Sequence, residues 1–199
     1  MRIRCEKLSY DTLRTLAGSF LDKYHPSGEI PVPIEDIIDL CLAMNIVPVR
    51  EFQRHYGIVG ALGADFTTIY VDEYVQEYRR ARYHFTLAHE LAHRELHRAI
   101  LEQVELDGVE DWLQINGQID DNTHDWMEWQ AYSWAGLVLV PASRLAEHFE
   151  RELTRAKEAS FYVEGSPDLA REYISEALSR PFAVSPEVIY KRIGRDNLL

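Results

Sequence analysis

The run His89-Glu90-Leu91-Ala92-His93 sets two histidines four residues apart, with a glutamate beside the first. On a helix this spacing puts both imidazoles on one face, about 6 Å apart along the axis. They can then converge on one zinc ion through bonds of roughly 2.0 Å. Glu90 would face the water that such an ion activates and could take its proton as the water attacks a peptide carbonyl. These residue types at these spacings are what a zinc peptidase requires. The same five residues also suit an amphipathic helix whose histidines make ordinary hydrogen bonds, so the rest of the chain has to decide between the two.

Catalytic zinc keeps three protein ligands and one open position, and a third ligand must therefore exist. A metzincin extension is excluded, because Leu96 and Ala99 stand where that motif needs Gly and His. His97 lies two helical turns from His89, about 12 Å along the axis, and cannot share a metal with both histidines. It reads as a supporting or structural residue. The remaining route is a carboxylate on a later helix, where Glu128 heads the face Glu128, Ala131, Tyr132, Ala135, Val138 and Leu139. The small residues on that face permit close approach to the first helix. An ionised carboxylate there is costly unless a cation meets it. Zinc would satisfy it, and the competing partner is an arginine such as Arg79, Arg80 or Arg82.

The elements that must position these groups follow from periodicity. Ser9 can cap a helix carrying Leu13, Leu16, Phe20 and Leu21, which ends before His25-Pro26-Ser27-Gly28. A second helix is expected over 34–44, with Ile37, Ile38, Leu40 and Cys41 on its buried side. Branched residues at 46–50, 58–62 and 67–71 predict a small antiparallel sheet. Helical periodicity returns at about Arg79, with Phe85, Ala88, Ala92 and Leu96 in one stripe. Ser166-Pro167 and Ser185-Pro186 open two C-terminal helices. The fold class is therefore α+β and mainly helical. The expected organisation is a zinc metallopeptidase domain over 1–160 and a helical extension over 161–199 packed on it.

Taken together, His84-Phe85-Thr86-Leu87-Ala88 leading into the histidine motif, and Glu128, Ala131, Ala135 and Leu139-Val140-Pro141 after it, resemble the ImmA/IrrE family of zinc metallopeptidases. Ile69 to Asp72 and Arg79 to Arg82 also match the run-up to that family's active-site helix, and the ending at Phe182 to Pro186 with Ile189 and Arg192 is similar. The resemblance implies His89, His93 and Glu128 as zinc ligands and Glu90 as general base. It also implies a regulatory protein as substrate, often a DNA-binding repressor of a phage or mobile element. Ala92 and Val140 depart from the Gly and Met more usual there, and neither change removes a ligand or the base. The longer gap between His93 and Glu128 bears on the substrate cleft rather than on the metal site.

Charge narrows the partners. The net charge is −12, and residues 99–125 hold eight acids with no Lys or Arg. This acidic insertion reads as a solvated segment, or as a flap that attracts a basic partner. Five basic and five acidic residues balance between Ser166 and Leu199, so the C-terminal helices carry no electrostatic footprint for nucleic acid. Direct nucleic-acid binding is not expected. Cys5 and Cys41 make no disulfide framework, no apolar run reaches the length of a membrane span, and the early arginines precede no secretory core. A cytoplasmic protein is expected. Tyr132, His97 and His124 are the candidates for stabilising a reaction oxyanion. The alternative to a peptidase is a metal-binding regulatory or adaptor protein that acts by binding alone, for which Glu90, not itself a ligand, would have no chemical use.

Overall fold

Ser9 closes the first turn of helix α1 (Tyr10–Tyr24) by accepting a hydrogen bond from the Thr12 N–H at 3.1 Å. The helix buries Leu13, Ala17 and Phe20. The computed structural model describes residues 4–103, 119, 121–158 and 167–199.

The second expected helix takes another form. Helix α2 (Ile34–Asp36) passes directly into a π-helical turn over Ile37–Cys41, where the Leu42 N–H reaches back five residues to the Ile37 carbonyl. The wider turn shifts the phase of every later residue. Ile37 and Ile38 stay buried, but Leu40 is 74% exposed and Cys41 is exposed too, so the apolar side is shorter than its spacing suggests. Ala43, with φ of 51°, then reverses the chain, and the Met44 N–H bonds to the Ile38 carbonyl.

The sheet contains β1 (Asn45–Val49), β2 (Gly60–Leu62) and β3 (Thr68–Asp72) in the order β1-β3-β2. β2 and β3 form the expected antiparallel hairpin, whereas β1 runs parallel to β3, with Val47 opposite Tyr70. The sheet is mixed because the chain leaves β1 through helix α3 (Phe52–Tyr56), and β2 pairs with the far edge of β3. The hairpin turn is fixed by the Asp65 carboxylate, which accepts from the N–H and hydroxyl groups of Thr67 and Thr68 at 2.8–3.0 Å. Burial alone would raise the Asp65 pKa, but these bonds hold it below its ordinary value.

Asp72 caps helix α4 (Glu73–Tyr78) through the Val75 N–H and also accepts from the Gln53 N–H at 2.9 Å, which ties α3 to the end of β3. Helices α5 (Arg80–Leu101) and α6 (Asp121–Leu139) then build the centre. α5 lies between the sheet and α6, so residues on several of its sides are buried, Glu90, His93 and His97 among them. Ala88, Ala92, Ala131 and Ala135 are fully buried, as expected where two helix backbones approach closely. Helix α1 packs on α6 as well, with the Phe20 ring edge-on to Trp134 at 5.0 Å.

Helices α7 (Ala142–Glu158), α8 (Pro167–Phe182) and α9 (Pro186–Arg195) follow, with α8 packed on both neighbours. Among the described residues, nine α-helices and three strands make an α+β, mainly helical fold. None of those helices is long and apolar enough to cross a membrane. Most of the acidic insertion expected at 99–125 falls on 104–118 and 120, outside the described residues.

Candidate metal and catalytic site

Two turns of α5 and one residue of α6 meet beside the hairpin. His89 and His93 stack edge to face with ring centroids 4.8 Å apart, and their Nε2 atoms are 3.1 Å from each other. Glu128 reaches across from α6: its Oε2 lies 3.3 Å from His89 Nε2 and its Oε1 3.2 Å from His93 Nε2. One ligand atom from each of the three residues fits within 4.8 Å of the others. Small four-coordinate cations with bonds of about 2.0–2.1 Å hold their ligand atoms roughly 3.3 Å apart, so the spacing and the nitrogen and oxygen donor set both fit a divalent metal ion. The carboxylate meets imidazoles rather than a guanidinium. His124, one turn earlier on α6, is the third ring near Glu128, at 3.9 Å, and among the described residues no arginine pairs with Glu128.

The charges respond to one another. Burial works against the Glu128 carboxylate, but hydrogen bonds from His89 and His93 more than offset it and hold its pKa well below the ordinary value. Burial likewise opposes protonation of His89, yet the bond to Glu128 and the nearby Glu90 charge leave its pKa raised. Glu90 is buried, and that burial lifts its carboxyl above the usual range although His89 and His93 pull the other way. The Leu62 N–H of β2 donates to this carboxylate. A carboxyl in this position is placed to exchange a proton with a water held at the cluster.

A cleft of about 440 Å³ opens over these groups, walled by the 58–61 segment on one side and by α5 and α6 on the other. His89, Glu90, His93 and Glu128 all line it, as do Arg82 and His124. Of the three oxyanion candidates, His124 alone is in the cleft wall. His97 is turned into the core, where its Nε2 lies 3.2 Å from Gln130 Oε1. Tyr132 packs against Phe85 and accepts from Lys191 Nζ at 3.2 Å.

Sequence reasoning missed the hairpin's part in the site. Gly60 lets β2 lie against α5: a Cβ there would stand 2.3 Å from Thr86 Cγ2 and 3.3 Å from both Glu90 Cγ and Oε1. A glycine inside a strand was the available signal, since it often marks close approach of another group. Gly60→Ala is expected to destabilise the protein by about 1–3 kcal/mol through this overlap. Thr86→Ser, which removes the clashing methyl, is expected to restore most of that loss in the double variant, as read by thermal unfolding. Arg82, considered as a partner for Glu128, instead lines the cleft, and Gln130 was missed, since nothing in its spacing points to a buried bond.

A comparison with curated proteins gave no match to the chain. The family model Peptidase_M78, described as the IrrE N-terminal-like domain, matches residues 50–194 and so takes in the hairpin, both ligand-bearing helices and the C-terminal helices as far as Gly194. The His-His-Glu cluster and the buried glutamate beside it lie within the matched span. The chain therefore belongs to the IrrE N-terminal-like domain family of metallopeptidases, Peptidase M78.

Proposed function

We propose that the protein is a zinc-dependent endopeptidase that cuts a regulatory protein, and that this substrate is a basic DNA-binding repressor of the kind carried by phages and mobile elements. The observation that carries the reading is the convergence of His89, His93 and Glu128 within one cleft beside a buried Glu90 that is not part of the ligand set. Bound zinc would supply a Lewis acid that activates water and polarises the scissile carbonyl.

The chain's own residues do the rest. Glu90, oriented by the Leu62 N–H, accepts the proton of the attacking water and returns it to the departing amine. His124 stands in the cleft wall, where its ring can donate to the carbonyl oxygen as charge develops on it. The substrate's backbone is expected to lie along β2. On either side of that strand Val59 and Gly63 bond to β3, so the alternate groups of Gly60 and Leu62 point the other way, and the Leu62 N–H duly reaches Glu90. An edge that lines the cleft along 58–61 suits a chain that continues past the cut in both directions, which favours internal cleavage.

The repressor assignment rests on charge and on the family resemblance. A protein of net charge −12 attracts a basic partner at low salt and repels nucleic acid. Repressors act in the cytoplasm, and the reading places this protein there.

Elemental analysis of the purified protein, with His93→Ala and Glu128→Ala alongside, tests the reading. About one zinc per chain, lost in both variants, is expected from a three-ligand site. Zinc retained in Glu128→Ala would remove that residue from the set. Bound zinc without cleavage of any basic repressor-like protein would shift the reading to a metal-binding adaptor.

A further inference from the structure

A line of buried polar groups leads away from the metal cluster into the core. His93 Nδ1 lies 3.1 Å from His97 Nδ1, His97 Nε2 lies 3.2 Å from Gln130 Oε1, and Gln130 Nε2 donates to the Glu6 carbonyl at 2.7 Å. Gln130 Nε2 also reaches Cys5 Sγ at 3.5 Å. His97 and Gln130 are 1% and 0% exposed. Burial at this depth demands that each polar atom find a partner of the right kind.

The far end of the line decides the rest. A main-chain carbonyl can only accept, so the Gln130 amide must turn its NH2 to Glu6 and its oxygen to His97. His97 must then donate from Nε2. With His93 Nε2 given to a metal, the His93 proton is on Nδ1, and the 3.1 Å contact makes His97 Nδ1 the acceptor, in agreement with donation from its Nε2. The donor and acceptor order then agrees along the whole line from the Glu6 carbonyl to His93, whose Nε2 is the atom that faces His89 and Glu128. One main-chain carbonyl thus matches the tautomer needed by a residue of the ligand cluster three groups away.

We infer that His97 and Gln130 are positioning residues that hold His93 in its metal-binding tautomer, and that the segment preceding α1 completes the relay through the Glu6 carbonyl. This rests on the reading of His93 as a metal ligand. A hydrogen bond to the second nitrogen of a ligating histidine fixes the ring and raises its basicity. Here the supporting group is a neutral imidazole backed by an amide. Cys5 and Glu6 lie outside the family match, so the outer end of the relay comes from a part of the chain that match does not cover.

The test is zinc affinity by chelator competition, together with histidine nitrogen NMR on the labelled full-length protein. Gln130→Met, close in shape but unable to accept from His97, is expected to weaken zinc binding by about 10- to 100-fold. In the unsubstituted protein the NMR signature is His97 protonated at Nε2 and bare at Nδ1, and His93 protonated at Nδ1. A folded Gln130→Met that binds zinc as tightly as the parent, or His97 protonated at Nδ1 in the parent, would overturn the relay. If Gln130→Met does not fold, the NMR result on the parent decides alone. A parent protein that binds no zinc at all would instead defeat the metallopeptidase reading, and the His97 tautomer would still report on the relay.

Discussion

Glu90→Gln is expected to leave the protein folded and loaded with zinc while lowering kcat by about 10²- to 10⁴-fold, the usual contribution of a positioned general base. The change is nearly isosteric. The glutamine oxygen can still accept from the Leu62 N–H, so the hairpin and α5 should keep their contact. The amide cannot take a proton from water, and that is the single property removed. Glu90 is also a buried carboxyl that burial drives toward its neutral form, so replacing it relieves a desolvation cost and the unfolding temperature should not fall. Three measurements on one preparation separate the cases: zinc content, thermal midpoint and turnover of a cleavable substrate. Unchanged turnover with zinc in place would mean that another group accepts the proton. Zinc loss together with activity loss would mean that Glu90 supports the cluster rather than the chemistry.

The chemistry of the site was readable because it is local. His89, Glu90 and His93 lie within one and a half turns of a helix whose apolar stripe is itself strong, and Glu128 is an isolated acid in a stretch of small and apolar residues. Those features need no knowledge of the tertiary fold. The same locality explains the capping role of Ser9 and the approximate strand positions. What the sequence did not give depends on contacts distant along the chain. The π-helical turn at Ile37–Cys41 leaves no mark on composition, and its phase shift exposes Leu40 where a regular helix would have buried it. The parallel pairing of β1 with β3 depends on where α3 returns the chain. Gln130 spells nothing by itself; its part appears once His97 on α5 and Glu6 before α1 are both brought to it. Gly60 lies between these cases, since its residue type hinted at a close approach and only the structure showed the approach to be to Glu90.

Arg192→Met is expected to cost about 3–5 kcal/mol of stability, the range for removing one partner of a buried ion pair. Arg192 is 2% exposed and sits at the C-terminal end of α6, the helix that carries Glu128. Its Nη1 donates to the Gly136 carbonyl at 2.7 Å and to the Val140 carbonyl, and its Nη2 to Asp196 Oδ2 at 2.7 Å. The last carbonyls of a helix have no partner within it and carry partial negative charge, so a guanidinium there satisfies both the bonds and the dipole. Asp196 in turn accepts from Arg14 at 2.8 Å and from the Tyr10 hydroxyl at 3.3 Å, which links α1 to the same network. Removing the guanidinium therefore takes its bond from the Val140 carbonyl and from one side of a nearly buried carboxylate at once, while the Gly136 carbonyl keeps the Val140 N–H at 3.1 Å. For a domain of this size the loss corresponds to roughly 6–20 °C in the thermal midpoint. Asp196→Asn identifies the cause: if the ion pair carries part of the effect, the double variant should fall short of the sum of the singles by about 1–3 kcal/mol. Additivity would place the whole effect in the helix-end carbonyls. A shift in the midpoint below about 2 °C would mean that α9 is not held to α6 through Arg192. Zinc affinity of the folded variant should stay near that of the parent, because Glu128 lies two turns from the nearest carbonyl involved.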